Sequence, residues 1–352
     1  MKKIVFFCLW GMLPFVSSAQ TKYSNEFLTI GVGARSFAMG QASVASVGDV
    51  TSGYWNPAGL TSVENKYDLS LMHAEYFAGI AKYDYVGFAY KLDEKSALSL
   101  SVIRYAIDNI PNTLELFDSE GNMRYDRIKT FSAADYAFLL SYAKNTGIQG
   151  LTLGGSAKII RRVTGSFASA WGFGLDAGAR LSRNNWAFAA VVRDATSTFN
   201  AWMFETSELK QVFESTGNEI PTNSVEVTLP RLITGISRQF AINEKFGAMV
   251  ETDFEFTFDG KRSTLVGSKF ANIDPRIGLE FNYIKMVYAR AGVNNLQQVP
   301  NFDGKKELQV QPNIGIGLAF KNINVDYAYS NVGEAVGRNS HIFSLRFRFG
   351  NE

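Results

Sequence analysis

The sequence contains few side chains of the types that carry out acid–base or metal chemistry. Its only histidines are His73 and His341, and its only cysteine is Cys8. A metal site needs three or four His, Cys, Asp or Glu ligands at suitable spacing, and a nucleophilic triad needs a histidine near a serine or cysteine. The sequence has neither pattern. We therefore predict no catalytic residues, no metal site and no cofactor, and we do not expect an enzyme.

Three carboxylates have a spacing with chemical meaning. Glu251, Asp253 and Glu255 occupy alternate positions of one predicted strand, so that their side chains share one face. Two interpretations are open: a cation site, or ion pairs with arginines inside the fold. We expect ion pairs, because buried charges of opposite sign usually neutralise each other. The candidate partners are Arg35, Arg290, Arg346 and Arg348.

Glycines near the N-terminus form a second pattern. Gly31, Gly33 and Gly40 are spaced somewhat like a phosphate-binding loop. They follow no predicted strand and open no amphipathic helix, as such a loop must. We interpret them as glycines that allow close packing.

The first residues are typical of a cleavable leader. Lys2 and Lys3 precede an apolar run and a small-residue cleavage signature at 17–19, which predicts a signal peptide over 1–19. Cys8 lies within this leader, so we expect no disulfide in the mature chain. Without the leader, 33 Lys and Arg balance 33 Asp and Glu. This balance gives no support to nucleic-acid binding through a basic face.

Strict alternation of apolar and polar residues dominates the rest of the chain. In the last segment Phe343, Leu345 and Phe349 share one face, whereas Ser344 and Arg346 share the other. A soluble β-sandwich also alternates, but the many Phe and Tyr residues on the apolar faces favour a membrane barrel with aromatic girdles. We therefore predict an all-β fold, a 14-stranded antiparallel transmembrane β-barrel. The predicted strands lie near 67–74, 80–90, 96–106, 131–144, 150–163, 170–181, 185–194, 231–240, 246–258, 273–282, 285–293, 309–320, 323–330 and 339–349.

The connections between these strands alternate in length. Short turns follow every second strand, whereas long connections, including 107–130 and 195–230, lie at the other end. Outer-membrane barrels place short turns in the periplasm and long loops outside the cell. We therefore predict an outer-membrane location, with the barrel over 67–352 in contact with outer-membrane lipid.

Residues 20–66 precede the first strand and are rich in small residues. Two interpretations are open: a disordered tail, or a plug inside the barrel. We expect the plug, because small residues allow irregular backbone to pack closely and because backbone at membrane depth must be shielded. The residues that we expect to form the plug motif are Gly31, Gly33, Arg35, Gly40, Asn56, Pro57 and Ala58.

Two motifs in this segment carry a family resemblance. Asn56-Pro57-Ala58 before the first strand resembles the signature of FadL-type outer-membrane channels, which are fourteen-stranded barrels with a hatch in the lumen. The longer string from Asn25 to Leu60 is similar to the PorV/PorQ family of Bacteroidota, and closer to PorV. One departure is that Gly350-Asn351-Glu352 follows Phe349, whereas many barrels end on the aromatic residue.

The resemblance implies a function. PorV-type proteins belong to the type IX secretion system, in which they bind the C-terminal sorting domains of secreted cargo and pass the cargo from the translocon to attachment components. FadL-type channels imply an alternative, the uptake of hydrophobic small molecules through a gap in the wall. A kink in a strand indicates such a gap; Gly172, Gly174 and Gly178 mark a candidate, although close packing explains them equally well.

Exposed connections offer the candidate partner surface. The stretch 199–216 combines aromatic residues with a predicted short helix, and the 107–130 connection adds further apolar residues. Such residues either pack the loops over the barrel mouth or bind a partner. The candidate partner-binding residues are Phe199, Trp202, Met203, Phe204, Phe213, Leu116 and Phe117.

Overall fold

Fourteen antiparallel strands form a closed barrel in this computed structural model. The first barrel strand pairs with the last, Tyr67 lying opposite Phe349, so that the sheet has no free edge. This closure satisfies the backbone hydrogen bonds that a membrane cannot satisfy, and it confirms the fold class predicted from the alternation. The structure describes residues 24–118, 120–206, 210, 219, 222–301, 303, 305–330 and 340–350. The predicted leader and the candidate residue Phe213 lie outside the described residues.

The strands are numbered in chain order, and those of the barrel wall are β1–β7, β10, β11 and β13–β17. Their bounds are β1 Tyr67–Tyr76, β2 Ala81–Asp93, β3 Ser96–Asn112, β4 Lys129–Asn145, β5 Leu151–Thr164, β6 Ala168–Arg183, β7 Trp186–Arg193, β10 Arg231–Ala241, β11 Phe246–Thr257, β13 Asn272–Tyr283, β14 Val287–Pro300, β15 Lys306–Phe320, β16 Ile323–Ser330 and β17 Ser340–Phe349.

Several strands extend further than their apolar pattern predicts. β3 reaches Asn112 and β14 reaches Pro300, each well beyond the predicted end. The added residues lie at the end of the barrel that carries the long connections, here named the loop end; the opposite end is the turn end. Beyond the apolar band of the wall the outward residues become polar, so the sequence there loses its strand signal although the backbone pairing continues.

Three short strands lie outside the set of fourteen: β8 Thr198–Phe204, β9 Ser224–Thr228 and β12 Val266–Gly267. β8 pairs with the first residues of β6, and β9 pairs with β8. The prediction that 195–230 forms a loop is therefore wrong for β8 and β9. The physical reason is that β7 ends at Arg193, so that the first residues of β6 have no partner in β7. β8 forms the backbone hydrogen bonds with these residues instead.

The outward face of the wall is apolar. Leu140, Ile159, Ile316 and Phe343 are each about half exposed, whereas their inward neighbours along the strands are buried. In an outer-membrane barrel this outward band contacts lipid. Among the described residues, no helix is long and apolar enough to cross a membrane.

The N-terminal segment, residues 24–66, packs against the inward face of the wall. It contains two short α-helices, α1 (Ala34–Ala38) and α2 (Ser52–Trp55), and two 3-10 turns, Glu26–Leu28 and Pro57–Ser62. Helix α1 contacts β14–β17, and the Pro57–Ser62 turn contacts β3–β6. The segment therefore touches opposite sides of the barrel, and most of its residues are buried.

Candidate functional site

The glycines of the N-terminal segment lie where its backbone bends or approaches the wall. Gly31, Gly33 and Gly40 all have positive φ angles, of 99°, 85° and 61°. A Cβ atom on Gly40 would lie 2.5 Å from the backbone nitrogen of Val293 in β14. Such a distance excludes any side chain. The spacing that loosely resembled a phosphate loop thus contains a glycine needed for backbone contact.

The Asn56-Pro57-Ala58 motif forms a compact turn against β5 and β6. The Asn56 amide donates to the carbonyl of Val44 at 2.9 Å, and its Oδ1 accepts from the Ala58 N–H at 3.1 Å. Pro57 opens the following 3-10 turn, where its missing N–H costs nothing. Asn56 is completely buried, and its amide also donates to the carbonyl of Ala179 in β6 at 3.4 Å, which fixes the segment to the wall at this point.

The glycines of β6 are explained by close neighbours. A Cβ atom on Gly178 would lie 2.2 Å from the Asn56 Oδ1. Cβ atoms on Gly172 and Gly174 would collide with the side chains of Asn200 and Thr198 on β8. Close packing therefore accounts for all three glycines.

Arg35 joins an ion-pair chain. Its Nε lies 2.9 Å from Glu280 Oε2, and the same carboxylate lies 2.6 Å from Arg290. Arg290 in turn lies 2.6 Å from Asp326. These ion pairs, in which positive and negative side chains alternate, connect α1 to β13, β14 and β16.

The three carboxylates of β11 bind different partners from those expected. Glu251 Oε1 accepts the backbone N–H groups of Ala45 and Ser46 at 2.7 and 3.2 Å. Asp253 Oδ2 accepts those of Ser43 and Val44 at 2.7 and 3.1 Å. These buried N–H groups belong to no helix or strand, and a buried donor needs an acceptor. We name this arrangement the carboxylate latch.

Glu255 is the only one of the three that forms close ion pairs within the described residues. It lies 3.2 Å from Arg231 and still closer to Arg276. The expected pairing with Arg35, Arg290, Arg346 or Arg348 is wrong. Arg346 instead contacts Asp68 and Asp49, because the register of the barrel brings β17 beside β1.

A second buried ion network was not predicted from the sequence. Lys158 Nζ lies 2.7 Å from Asp176 and 2.5 Å from Asp194, and all three side chains are less than 10% exposed. Asp194 Oδ2 lies 3.5 Å from Arg231, which links this network to Glu255. Asp194 lies between β7 and β8, and its N–H donates to Asp176 Oδ1 at 2.7 Å. The network therefore holds the junction between these strands.

One half of the interior is apolar. Phe27, Leu28 and Trp55 of the N-terminal segment pack in one cluster with Tyr76 and Tyr83 of the wall. The ring centroids of Tyr76 and Tyr83 lie 6.2 Å apart, and both residues are almost completely buried. Other inward residues of β2–β5 extend the cluster: Tyr85, Ile103, Leu139 and Ile160.

A polar cavity of about 490 Å³ lies at the loop end. It is lined by Glu26, Thr29, Ile30 and Gln41 of the N-terminal segment, by residues of β10, β11, β13, β14 and β15, and by residues 262–264; we name it the mouth cavity. Beside it, burial acts to raise the pKa of the Asp259 carboxyl, but the Arg262 guanidinium outweighs burial and holds this pKa below its ordinary value. A second cavity of about 640 Å³ lies at the turn end and is lined by Gln239 and Glu280 among others.

The candidate partner residues do not form one surface. In β8, Phe199 and Met203 face outward and are about half exposed, whereas Trp202 and Phe204 face the other way and stack at 6.1 Å. The Arg162 guanidinium lies 4.9 Å from the Trp202 ring. In the β3–β4 connection Phe117 is exposed and Leu116 is half-buried.

The two histidines lie on the paired strands β1 and β17, where His341 is opposite Glu75, but they make separate contacts. His73 Nδ1 lies 2.7 Å from Asp84, and His341 Nδ1 lies 2.7 Å from the Tyr327 hydroxyl. Within the described part of the chain, no group of three His, Cys, Asp or Glu residues has the geometry to hold a metal ion.

Comparison with known proteins identifies the fold. No family model and no curated protein matches the chain. Among solved structures, the Pseudomonas putida toluene transporter TodX has a TM-score of 0.56 at 14% identity, over 92% of this chain and 99% of that one. The CymD monoaromatic hydrocarbon channel has a TM-score of 0.55 at 14% identity, over 92% and 98%.

The Ralstonia pickettii toluene transporter TbuX is also similar, with a TM-score of 0.51 at 14% identity over 91% and 98% of the two chains. At such identities the likeness establishes the fold alone. The chain therefore has the same closed β-barrel fold as these channels and transporters, in agreement with the fold expected from the Asn56-Pro57-Ala58 motif. The outer-membrane location stays a prediction. The resemblance to the PorV/PorQ family stays a prediction.

Proposed function

We propose that this protein is an outer-membrane channel for small hydrophobic molecules, with residues 20–66 as a plug. The observation that carries the proposal is the likeness, over more than nine-tenths of both chains, to a monoaromatic hydrocarbon channel and two toluene transporters. A shared fold does not by itself transfer an activity. The interior of this chain must therefore supply its own argument.

The apolar half of the interior supports a hydrophobic substrate. Tyr76, Tyr83 and Ile103 line the wall there, and all are almost completely buried against Phe27 and Leu28. A hydrocarbon that leaves water gains about 25 cal/mol for each Å² of apolar surface that it buries. The half with the ion networks offers no such gain, so we propose that the substrate passes along β1–β5.

The attachment of the N-terminal segment is compatible with a path on this side. On the polar side the carboxylate latch and the Arg35–Glu280 pair hold the segment by directional bonds. On the apolar side the contacts are mainly non-directional packing, which re-forms readily around a guest molecule. We propose that Phe27 and Leu28 shift while the latched residues 43–46 stay in place.

The test is uptake of radiolabelled toluene by cells that carry or lack the gene. Deletion should lower uptake, and the wild-type gene should restore it. Tyr83→Arg should fail to restore uptake, because a charged guanidinium in the path offers a hydrocarbon no apolar surface to bury against. Tyr83→Phe is the matched control and should restore it, since the Tyr83 hydroxyl has no hydrogen-bond partner among the described residues.

Heat-modifiable migration in gels should establish that each variant forms a closed barrel. Uptake that is unchanged after deletion would contradict the channel. Equal restoration by a folded Tyr83→Arg variant would contradict the proposed path along β1–β5.

A second candidate function is cargo binding in type IX secretion. It is favoured by the PorV-like string from Asn25 to Leu60 and by the exposed apolar side chains of the β3–β4 connection. Phe117, Met123 and Tyr125 are 57%, 55% and 69% exposed, and Phe117 forms a backbone bridge to Met123. Aromatic and methionine side chains are typical of protein-binding surfaces. We propose the C-terminal sorting domains of secreted cargo as the partner, with translocon and attachment components nearby.

This candidate predicts that deletion, in a strain without related PorV-type genes, leaves cargo with C-terminal sorting domains unprocessed. Replacement of Phe117 and Tyr125 by Ser should weaken cargo capture without affecting barrel assembly. Normal secretion together with reduced toluene uptake would decide for the channel.

A further inference from the structure

The lining of the mouth cavity differs in chemistry from the apolar half of the interior. Among the described residues that line it, Ile30 is the only apolar side chain, and none is aromatic. The others are three arginines, three carboxylates and nine Ser, Thr, Asn or Gln residues. Its volume of about 490 Å³ lies within the range of roughly 300–1,000 Å³ that is usual for small-molecule sites. The cavity therefore suits a small polar ligand and not a hydrocarbon.

The charged side chains at the floor of the cavity are already paired with one another. Glu255 contacts Arg231 on one oxygen and Arg276 on the other, and Arg231 also lies 3.5 Å from Asp194. Each of these four side chains is no more than 10% exposed. A ligand with a net charge would leave one of these buried groups facing a like charge, which is costly. The floor thus favours an uncharged ligand.

The charged side chains of the rim are also paired. The Arg262 guanidinium contacts Asp259 and also lies 3.5 Å from Glu26 of the N-terminal segment. The rim thus carries two carboxylates for one guanidinium, which disfavours an anionic ligand.

A wall of amide side chains forms another part of the cavity. The pairing of β14 with β15 shifts register between Asn294 and Gln297, and Asn295 there has a φ of 50°. Gln297 donates to Asn295 Oδ1 at 2.6 Å, and Gln311 donates to Ser330 at 3.0 Å. An amide has two donor hydrogens and two acceptor lone pairs, so one such bond leaves capacity for a ligand.

We propose that the mouth cavity binds a neutral saccharide. Hydroxyl groups donate and accept, and this lining offers guanidinium and amide donors beside carboxylate and amide acceptors around one space. Among the described lining residues, no aromatic side chain offers a nucleobase a ring to stack on. The wall of amide side chains lies on β14 and β15, away from the hydrocarbon path proposed along β1–β5.

Binding can be tested with the full-length protein purified in detergent. Maltose, lactose and trehalose would be titrated and followed by saturation-transfer NMR and calorimetry. Gln297→Ala and Gln311→Ala should each weaken binding by about three- to tenfold, as expected for the loss of one or two hydrogen bonds. Gln239→Ala, the same change in the turn-end cavity, should leave the affinity unchanged.

The saccharide has two possible sources, a free sugar or the glycan of a surface lipid. A parallel titration with lipopolysaccharide micelles, with and without the O-chain, separates them. Binding of disaccharides that is weakened by the Gln297 and Gln311 changes supports a free sugar. Binding of the O-chain form alone, with the same sensitivity, supports a surface glycan. Absence of both kinds of binding, or equal loss with Gln239→Ala, overturns the proposal.

Discussion

Removal of the carboxylate latch tests how the N-terminal segment is held. In a Glu251→Ala/Asp253→Ala variant, four buried N–H groups at residues 43–46 lose their acceptors. A hydrogen bond to a charged acceptor contributes about 1.5 kcal/mol or more. Loss of one carboxylate should therefore cost the local structure about 3 kcal/mol, and loss of both about 6 kcal/mol.

Removal of two buried charges also returns part of their desolvation cost. That gain acts on the stability of the whole barrel, but it supplies no acceptor to residues 43–46. The local opening of this stretch should therefore become easier even where the barrel itself remains folded. Hydrogen exchange measures such local opening residue by residue.

The assay is hydrogen–deuterium exchange of the purified barrel, read at residues 43–46. Glu251→Ala alone should lower protection at residues 45 and 46 by roughly 100-fold, since about 1.4 kcal/mol corresponds to a factor of ten. Asp253→Ala alone should do the same at residues 43 and 44. Glu255→Ala is the matched control, because Glu255 lies on the same strand and face but pairs with Arg231 and Arg276. It should leave exchange at 43–46 unchanged.

Two results would refute the reasoning. One is wild-type protection at 43–46 in a double variant that still migrates as a closed barrel. The other is an equal loss of protection with Glu255→Ala, which would indicate general loosening of β11 and not the loss of specific acceptors.

Three further predictions concern the segment and the topology. Gly292→Val should prevent barrel assembly, seen as loss of heat-modifiable migration, because a Cβ atom there would lie 2.1 Å from the carbonyl carbon of Met39; normal migration would contradict the close contact. Asn56→Leu should destabilise the segment by about 2 kcal/mol through loss of the side-chain hydrogen bonds to Val44, Ala58 and, at a longer distance, Ala179, measured as faster proteolysis before the first strand, and unchanged proteolysis would argue against this anchor. An epitope tag at Gly121 should be accessible on intact cells and one at Glu94 should not, whereas labelling at Glu94 alone would invert the proposed orientation.

The alternation of apolar and polar residues was sufficient to predict the barrel. In β17, Phe343 and Leu345 point outward and Ser344 inward, as their period of two requires. This signal is local, because each strand must present one face to lipid and the other to the interior. The alternation is weaker where β3 and β14 extend beyond the apolar band at the loop end. The predicted ends of these two strands therefore came too early in the sequence.

The placement of β8 was missed for a related reason. The stretch 198–204 alternates, but it is short and follows a break at Asp194. Only its pairing with the start of β6 makes it a strand that extends the sheet beyond β7. That pairing depends on where β7 ends, which no residue of 198–204 encodes.

The sequence by itself determined that this chain is a barrel of alternating strands preceded by a glycine-rich segment, because strand period and glycine content are properties of neighbouring residues. The tertiary structure decided which groups meet. Glu251 and Asp253 bind backbone N–H groups, which every residue carries and no sequence pattern marks. The mouth cavity joins residues as distant as Glu26 and Gln311, since strand register and barrel closure, and not sequence distance, set their positions.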